Sequence, residues 1–338
     1  MQGPLILVFA TADDPVAAQG AAALARRGAD VVRWDVAAFP ADIQLAMRWD
    51  RRGRRTKRAV IGGRAIQLDD VDAVWHRRMW AGPAPALTEP RIRRFVEHET
   101  NCVLQEMVTD LAELGVPFVP APWPVVRTQQ AKLMQLSLAG RLGLEVPETL
   151  VTNDPAELRA FHREHGRLIT KHVDPWALEN SDLTRAHQRF TQPVSRRDLM
   201  ALASARWCPV FAQAYVPKRV ELRVTLVGEQ VFAAEIHSQR SAHTRHDCRR
   251  IGRAAALVRH DLPDDIARKC RLVARALDLH YGAFDFVVTP DGRYVFLEVN
   301  PGGEYHWIEG LLHLPITDAI VELLLQLAAH TRDARSAA

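Results

Sequence analysis

Lysine is scarce in this 338-residue chain: Lys57, Lys132, Lys171, Lys218 and Lys269 are the five among 44 basic residues, and arginine supplies the rest. Cysteine is nearly as rare. Its four copies, Cys102, Cys208, Cys248 and Cys270, are widely scattered, which excludes a thiolate metal knuckle and C-x-x-C dithiol chemistry. A reduced, cytoplasmic chain is the simplest reading. No apolar run approaches the ~20 residues that span a bilayer, so no membrane partner is expected. The start, Met1 to Ala10, has no basic region ahead of its short apolar segment and reads as a first strand rather than a signal peptide. G-x-x-x-x-G-K-[ST], G-x-S-x-G, H-E-x-x-H and G-x-G-x-x-G are all missing. P-loop nucleotide binding, serine hydrolysis, zincin chemistry and dinucleotide binding thereby lose their usual signatures.

What is present describes an ordinary globular protein, 48% hydrophobic and 25% charged, long enough for two or three domains. Arginine is the background cation. Positions that keep lysine suit a compact, flexible point charge, the form of cation that phosphate groups accept.

Two β-rich runs, about 283–289 and 293–299, flank a Pro-Asp-Gly turn signal and predict a hairpin. Asp285 interrupts the first run; Glu298 and Asn300 interrupt the second and share one face by alternation. Asp285 and Glu298 are an odd number of residues apart. A two- or four-residue loop would therefore set them directly opposite, and a three-residue loop would not. Facing carboxylates repel, and a hard cation such as Mg²⁺ relieves the repulsion through oxygen ligands of this kind. A solvated hairpin with ordinary polar faces is the competing reading.

Ahead of the hairpin the chain opens as β-α-β: a strand at 4–9, a helix Pro15–Arg27 behind Asp14, and a strand Asp30–Trp34. That order predicts a doubly wound α/β domain. Short strands follow over 43–68 around the basic tract Arg48–Arg58, an exposed hairpin or a site for an acidic partner. Val74-Trp-His-Arg-Arg78 ends a further strand in two adjacent guanidinium groups. Glu89–Leu114 has helical periodicity. Four prolines between Val116 and Pro124 mark a boundary. A helix from Thr128 to Leu142, a strand Thr149–Thr152, a helix opened by Asp154 and a strand ending at Lys171 come next. Residues 173–195 read as loop. Val210–Val216 reads as a strand stopped by Pro217, with strands Arg223–Val227 and Gln230–Ile236 beyond it. The histidines His237, His243 and His246 lack partners at zinc-ligand spacing. Pro315–Ala329 is the last predicted helix, with 331–338 a disordered tail.

The pattern D-(x)12-E-x-N formed by Asp285, Glu298 and Asn300 resembles the metal-binding end of ATP-grasp ligases. The text FLEVNPGGEYHWIE (296–309), with VWHRR (74–78) and KLMQLSLAGRLGLEVPETLVTND (132–154), resembles one branch of them. That branch is the peptide maturases that install ester or amide cross-links in microviridin-type (graspetide) precursors. The resemblance implies an α/β chain in which an ATP-grasp fold follows a Rossmann-like pre-ATP-grasp domain. The implied units are 1–121, a central subdomain 122–216, and a carboxyl-terminal subdomain 217–330 bearing the metal hairpin. It implies ATP and Mg²⁺ as cofactors, with Asp285, Glu298 and Asn300 on the metal and Lys132 and Lys171 on nucleotide phosphate. Gln213, the Ala214 carbonyl and the Val216 amide would line the adenine hinge, Lys218 would follow it, and Glu221 would take the ribose hydroxyls. Arg223 and Arg249 would supply positive field to the reaction, and Arg77 and Arg78 would hold substrate.

The implied partner is a ribosomal precursor peptide, a leader plus an acidic core containing Ser or Thr, whose Asp and Glu side chains are activated as acyl phosphates. Two alternatives stay open: a ligase for free amino acids or small carboxylic acids, and a basic nucleic-acid-binding protein with a non-catalytic fold. No RNA-recognition motif supports the second. A homodimer is compatible with the sequence. The run Gly302–His306 departs from the N-G-Q-W-type text of the branch, which leaves the acceptor and the cross-link type open.

Overall fold

In the computed structural model, residues 3–78, 89–173, 191–241, 244–245 and 256–337 are described. The chain opens with β1 (Leu5–Ala10), α1 (Pro15–Arg26) and β2 (Asp30–Asp35), and continues through β3 (Ile43–Trp49), β4 (Arg55–Ile61), β5 (Arg64–Gln67), β6 (Ala73–His76), α2 (Pro90–Glu113) and β7 (Phe118–Val119). β1, β2, β6 and β7 form one parallel sheet in the order β2-β1-β6-β7; β3, β4 and β5 form a separate antiparallel one. β1 is apolar at every residue because both of its faces are covered, as in parallel sheets generally. Leu7 and Phe9 join a core with Trp34, Met107 and Leu111, while Ile6 and Val8 join another with Val16 and Leu24. Asp14 caps α1, its Oδ1 accepting from the amides of Val16 (2.9 Å) and Ala17 (3.0 Å). A cap of this kind contributes about 1 kcal/mol.

The middle of the chain runs α3 (Trp123–Gln129), α4 (Lys132–Arg141), β8 (Thr149–Thr152), α5 (Pro155–His165), β9 (Leu168–Lys171), β10 (Gln192–Pro193), α6 (Arg196–Met200) and β11 (Val210–Ala214). Its sheet order is β10-β9-β11-β8. The single helix expected from Thr128 to Leu142 is in fact two. Thr128 is inside the first, its hydroxyl donating back to the Pro124 carbonyl (2.9 Å). Lys132 therefore opens the second helix instead of lying within one long helix. Asp154 caps α5 as expected, accepting from the Ala156 amide (2.7 Å).

The last part contains β12 (Val220–Val227), β13 (Gln230–Ile236), β14 (Leu257–Arg259), α7 (Asp264–Ala276), β15 (Tyr281–Val288), β16 (Tyr294–Asn300), α8 (His306–Leu312) and α9 (Ile316–Ala337). The five strands pair in the order β14-β13-β12-β15-β16. One face carries Leu222, Val224, Phe284, Phe286 and Phe296, all buried. Each such side chain contributes roughly 2–3 kcal/mol by leaving water. α9 departs from expectation: it runs through Ala337, where a disordered tail was predicted after 330. Ile320, Val321, Leu324 and Ala328 pack against the amino-terminal sheet, and Arg335 bonds the Val71 carbonyl (2.9 Å) and Asp72 (3.2 Å). That anchor lies more than 260 residues away in sequence, so the polar text of the tail carried no sign of it. No helix among the described residues is long and apolar enough to cross a membrane.

Candidate active site

The hairpin of β15 and β16 closes through a three-residue loop, Pro290-Asp291-Gly292. Thr289 donates to Arg293 (3.0 Å), Gly292 donates to Thr289 (3.0 Å), and Gly292 has φ 88°. The loop expectation is thus overturned, yet Asp285 still pairs with Glu298. The register shifts between Asp285 and Phe286: Phe286 pairs with Phe296 and Asp285 with Glu298, leaving Leu297 as an extra residue. A bulge of one residue reverses facing parity. Phe296 therefore points into the core, and Glu298, two residues on, points to the other face. Asn300 pairs with Ala283 and shares that face with Glu298, as alternation predicts.

Cations meet both carboxylates. The Arg223 Nη1 donates to Asp285 Oδ2 (3.3 Å), the Asn300 amide donates to the same oxygen (3.1 Å), and Lys132 Nζ lies 3.1 Å from Glu298 Oε2. Arg223 is opposite Asp285 on the neighbouring strand. Lys132 reaches Glu298 because Gln135, one turn along α4, clamps the helix to β16. Its amide donates to the Val299 carbonyl (2.8 Å) and its oxygen accepts from the Val299 amide (3.0 Å). Gln135 is 1% exposed. Sequence reading missed it; a glutamine three residues after a phosphate-type lysine is a faint signal, since only the partner across the fold gives it a task. Burial pushes the Lys171 ammonium below its ordinary range. Glu298 and Asp285 oppose that shift, and repulsion from Lys132 and Lys218 adds to it. Lys132, Lys171 and Lys218, three of the five lysines, thus share one electrostatic neighbourhood with both carboxylates.

Two carboxylates and an amide oxygen on one sheet face are hard donors, the set that suits Mg²⁺. Around them stand lysine and arginine groups matched to phosphate. β11 leads out of this region. Gln213 donates to Thr149 (2.9 Å), and its own side-chain oxygen is buried with no hydrogen-bond partner among the described residues. β11 ends at Ala214, Tyr215 donates its amide to the Arg167 carbonyl (2.8 Å), and Val216 and Pro217 lead into β12. Glu221 is buried, one oxygen accepting from Lys218 (2.8 Å) and from the Ser238 hydroxyl (2.7 Å). Ser238 is a second residue that sequence reading did not single out. Arg249 lies outside the described residues, as do His243 and His246.

Arg77 and Arg78 end β6 in different settings. Arg77 is enclosed: its Nε donates to Asp14 (2.8 Å), its Nη2 to Glu304 (3.2 Å), and its side chain is 9% exposed. Arg78 is half exposed and bonds the other oxygen of Glu304. Burial works against the Asp14 charge, but the Ala17 amide and Arg77 prevail and hold its carboxyl below the usual range.

A family model described as the MvdD pre-ATP grasp domain matches residues 5–117. The chain is similar to macrocyclase MdnC from Microcystis aeruginosa MRC, solved bound with precursor peptide MdnA. The identity is 30% over 95% of this chain and 99% of that one, with a TM-score of 0.82. It is also similar to a RiPP-associated ATP-grasp ligase from Chryseobacterium gregarium, solved in complex with ADP and a leader and core peptide. There the identity is 26%, covering 96% of this chain and 97% of that chain, at a TM-score of 0.87. Among curated proteins, 115 residues are 33% identical to the Multifunctional CCA protein of Methylococcus capsulatus. That stretch is 31% of this chain and spans only 27% of that protein.

Proposed function

We propose, from the premise that this chain belongs to the family of ATP-grasp peptide macrocyclases, that it cross-links a ribosomal precursor peptide at the expense of ATP. An Asp or Glu side chain of the peptide attacks the γ-phosphorus of ATP. The bond to the β-phosphate breaks, ADP leaves, and the peptide carries an acyl phosphate. A Ser or Thr hydroxyl, or a Lys amine, of the same peptide then attacks the acyl carbon. Phosphate leaves, the displaced proton passes to solvent, and the peptide has lost one water in forming an ester or amide.

The observation that carries this reading is the shared face of Asp285, Glu298 and Asn300 with Lys132 and Arg223 bonded to its carboxylates. Mg²⁺, held by Asp285, Glu298 and Asn300, would supply charge neutralisation to the phosphates when bound. Lys132 and Lys171 would hold phosphate oxygens, and Arg223 stabilises the charge that shifts as the γ-phosphoryl moves. Arg249 is proposed for the same field. Gln213, the Ala214 carbonyl and the Val216 amide would bind adenine, with Lys218 and Glu221 at the ribose side. ATP would then lie between units 122–216 and 217–330. On the amino-terminal side, Arg78 has the exposed guanidinium that a substrate carboxylate can reach. A reduced, cytoplasmic setting belongs to this reading; Cys102, Cys208 and Cys270 are all free thiols.

The test is mass spectrometry of the purified protein with ATP, Mg²⁺ and the short acidic, Ser/Thr-containing peptide of a neighbouring reading frame, run beside a panel of free amino acids. Loss of one water mass per cross-link on the peptide is expected. Phosphate release with free amino acids, and no mass loss on any candidate peptide, would replace this reading with a small-molecule ligase.

A further inference from the structure

The amino-terminal sheet reverses its strand order between β1 and β6: the chain leaves β1 for β2 on one side and comes back to β6 on the other. In a parallel sheet this divergence opens a crevice beyond the carboxyl ends of the two strands, where ligands of such folds bind. Asp14 follows β1 there, and Arg77 and Arg78 end β6 there. The crevice holds a carboxylate supplied by the chain itself, that of Glu304.

The two arginines hold Glu304 unequally. Arg77 is locked by Asp14, by Glu304 and by the rings of Trp75 and Tyr305, each 5.8 Å from its guanidinium carbon. Arg78 is 48% exposed and its carboxylate partner Glu304 is 45% exposed. Water screens a pair this open, so a competing carboxylate displaces Glu304 from Arg78 at little cost. The backbone that carries Glu304 is held in place. A Cβ on Gly303 would collide with Ala283 and crowd Asn300, and the Tyr281 hydroxyl donates to the Gly303 carbonyl. Glu304 therefore stands at a set position four residues beyond Asn300, beside the face that would activate a carboxylate.

We propose that Arg78 is a docking point for an acidic side chain of the substrate peptide, and that Glu304 is its built-in competitor. The inference rests on the peptide-ligase reading above. Arg77 is a positioning residue that keeps the loop seated after Glu304 has released Arg78. An internal carboxylate also sets a threshold. Free aspartate or glutamate must compete at its own concentration, whereas a peptide bound elsewhere on the protein presents its carboxylate at a high effective concentration. Glu304 thereby favours peptides over free amino acids.

The decisive measurement needs neither ATP nor an active peptide: calorimetric binding of a capped glutamate, N-acetyl-glutamate N-methylamide, to the full chain. Glu304→Gln keeps the side-chain shape and removes the competing charge. It is expected to tighten capped-glutamate binding by about 2- to 5-fold, the scale of an exposed ion pair, and to lower the peptide KM with ATP affinity unchanged. Arg78→Gln is expected to weaken capped-glutamate binding by a comparable ~2- to 5-fold, and to erase the gain in the double variant. Unchanged or weaker binding in a folded Glu304→Gln protein overturns the proposal. Wild-type binding in Arg78→Gln overturns it too, and that variant disturbs only an exposed group. If the binding pattern holds and no peptide is cross-linked, the docking point stands and the peptide-ligase reading falls.

Discussion

Glu298 lies directly across from Asp285 although the three-residue loop between their strands has the wrong parity for it, and the extra residue Leu297 makes up the difference. Without the bulge, alternation would turn Glu298 to the face of Phe296, which is fully buried among other aromatic rings. An unpaired carboxylate there would cost several kcal/mol. The bulge thus keeps the core apolar and delivers a second carboxylate to the face of Asp285 and Asn300. Glu298→Gln should accordingly lower turnover by at least ~100-fold, as loss of a metal-site group does, and raise the Mg²⁺ requirement while the melting temperature holds. Turnover within tenfold of the parent at saturating ATP and Mg²⁺ would remove Glu298 from the site.

Lys132 and Lys171 should each matter to nucleotide affinity. Replacing either with Met is expected to weaken ATP binding by ~2–3 kcal/mol, the value of a charge-assisted bond together with its stranded partner. Unchanged affinity in both variants by calorimetry would remove both lysines from nucleotide binding.

Lys171 also predicts a pH dependence. Burial lowers its folded pKa below the ordinary 10.5. Between that lowered value and 10.5 the unfolded chain holds the extra proton, so the nucleotide-free protein gains stability as pH rises through the window. Phosphate favours the ammonium, so ATP affinity should fall over the same window, with proton uptake on binding below 10.5. Lys171→Arg should flatten the affinity profile. Calorimetry in buffers of different ionisation enthalpy reads the proton uptake directly, and its absence would place Lys171 away from the phosphates.

Lys57, like Lys269, has no place at the site. It is fully buried, 3.0 Å from Asp69 and bonded to Asp110, which Arg55 also pairs. Removing one member of a buried ion cluster leaves the others uncompensated and costs about 3–5 kcal/mol. Lys57→Met should therefore destabilise the protein on that scale in a denaturant titration. A loss under 1 kcal/mol would mean that Asp69 and Asp110 find other partners.

The carboxyl-terminal turn should be structural. Arg335→Ala removes bonds to the Val71 carbonyl and to Asp72, whose side chain is 8% exposed. A loss of about 1–3 kcal/mol is expected, and deleting 331–338 should cost at least as much. Equal stability of the truncated and full chains would restore the idea of a free tail.

Much of this protein is determined locally and so is legible in its text. The apolar run 5–10 has to be covered on both faces, Asp14 and Asp154 satisfy the first amides of the helices they precede, and Pro-Asp-Gly turns the hairpin. Asp285, Glu298 and Asn300 interrupt apolar strands and so stand out as candidate site residues. The tertiary structure alone decided where those groups end up. Strand parity depends on every residue between two positions, so one extra residue, Leu297, reverses it without leaving a compositional mark. Gln135 gains its role from a backbone 164 residues away, and Arg335 gains its role from one 264 residues away. Arg77 and Arg78 are identical side chains adjacent in sequence. One is a buried strut and the other an open fork, because Asp14, Trp75 and Tyr305 close around the first and leave the second in water. Hydrogen-bond geometry and periodicity act over a few residues and are written into the chain at that range. Burial and partner choice depend on what the rest of the fold brings alongside.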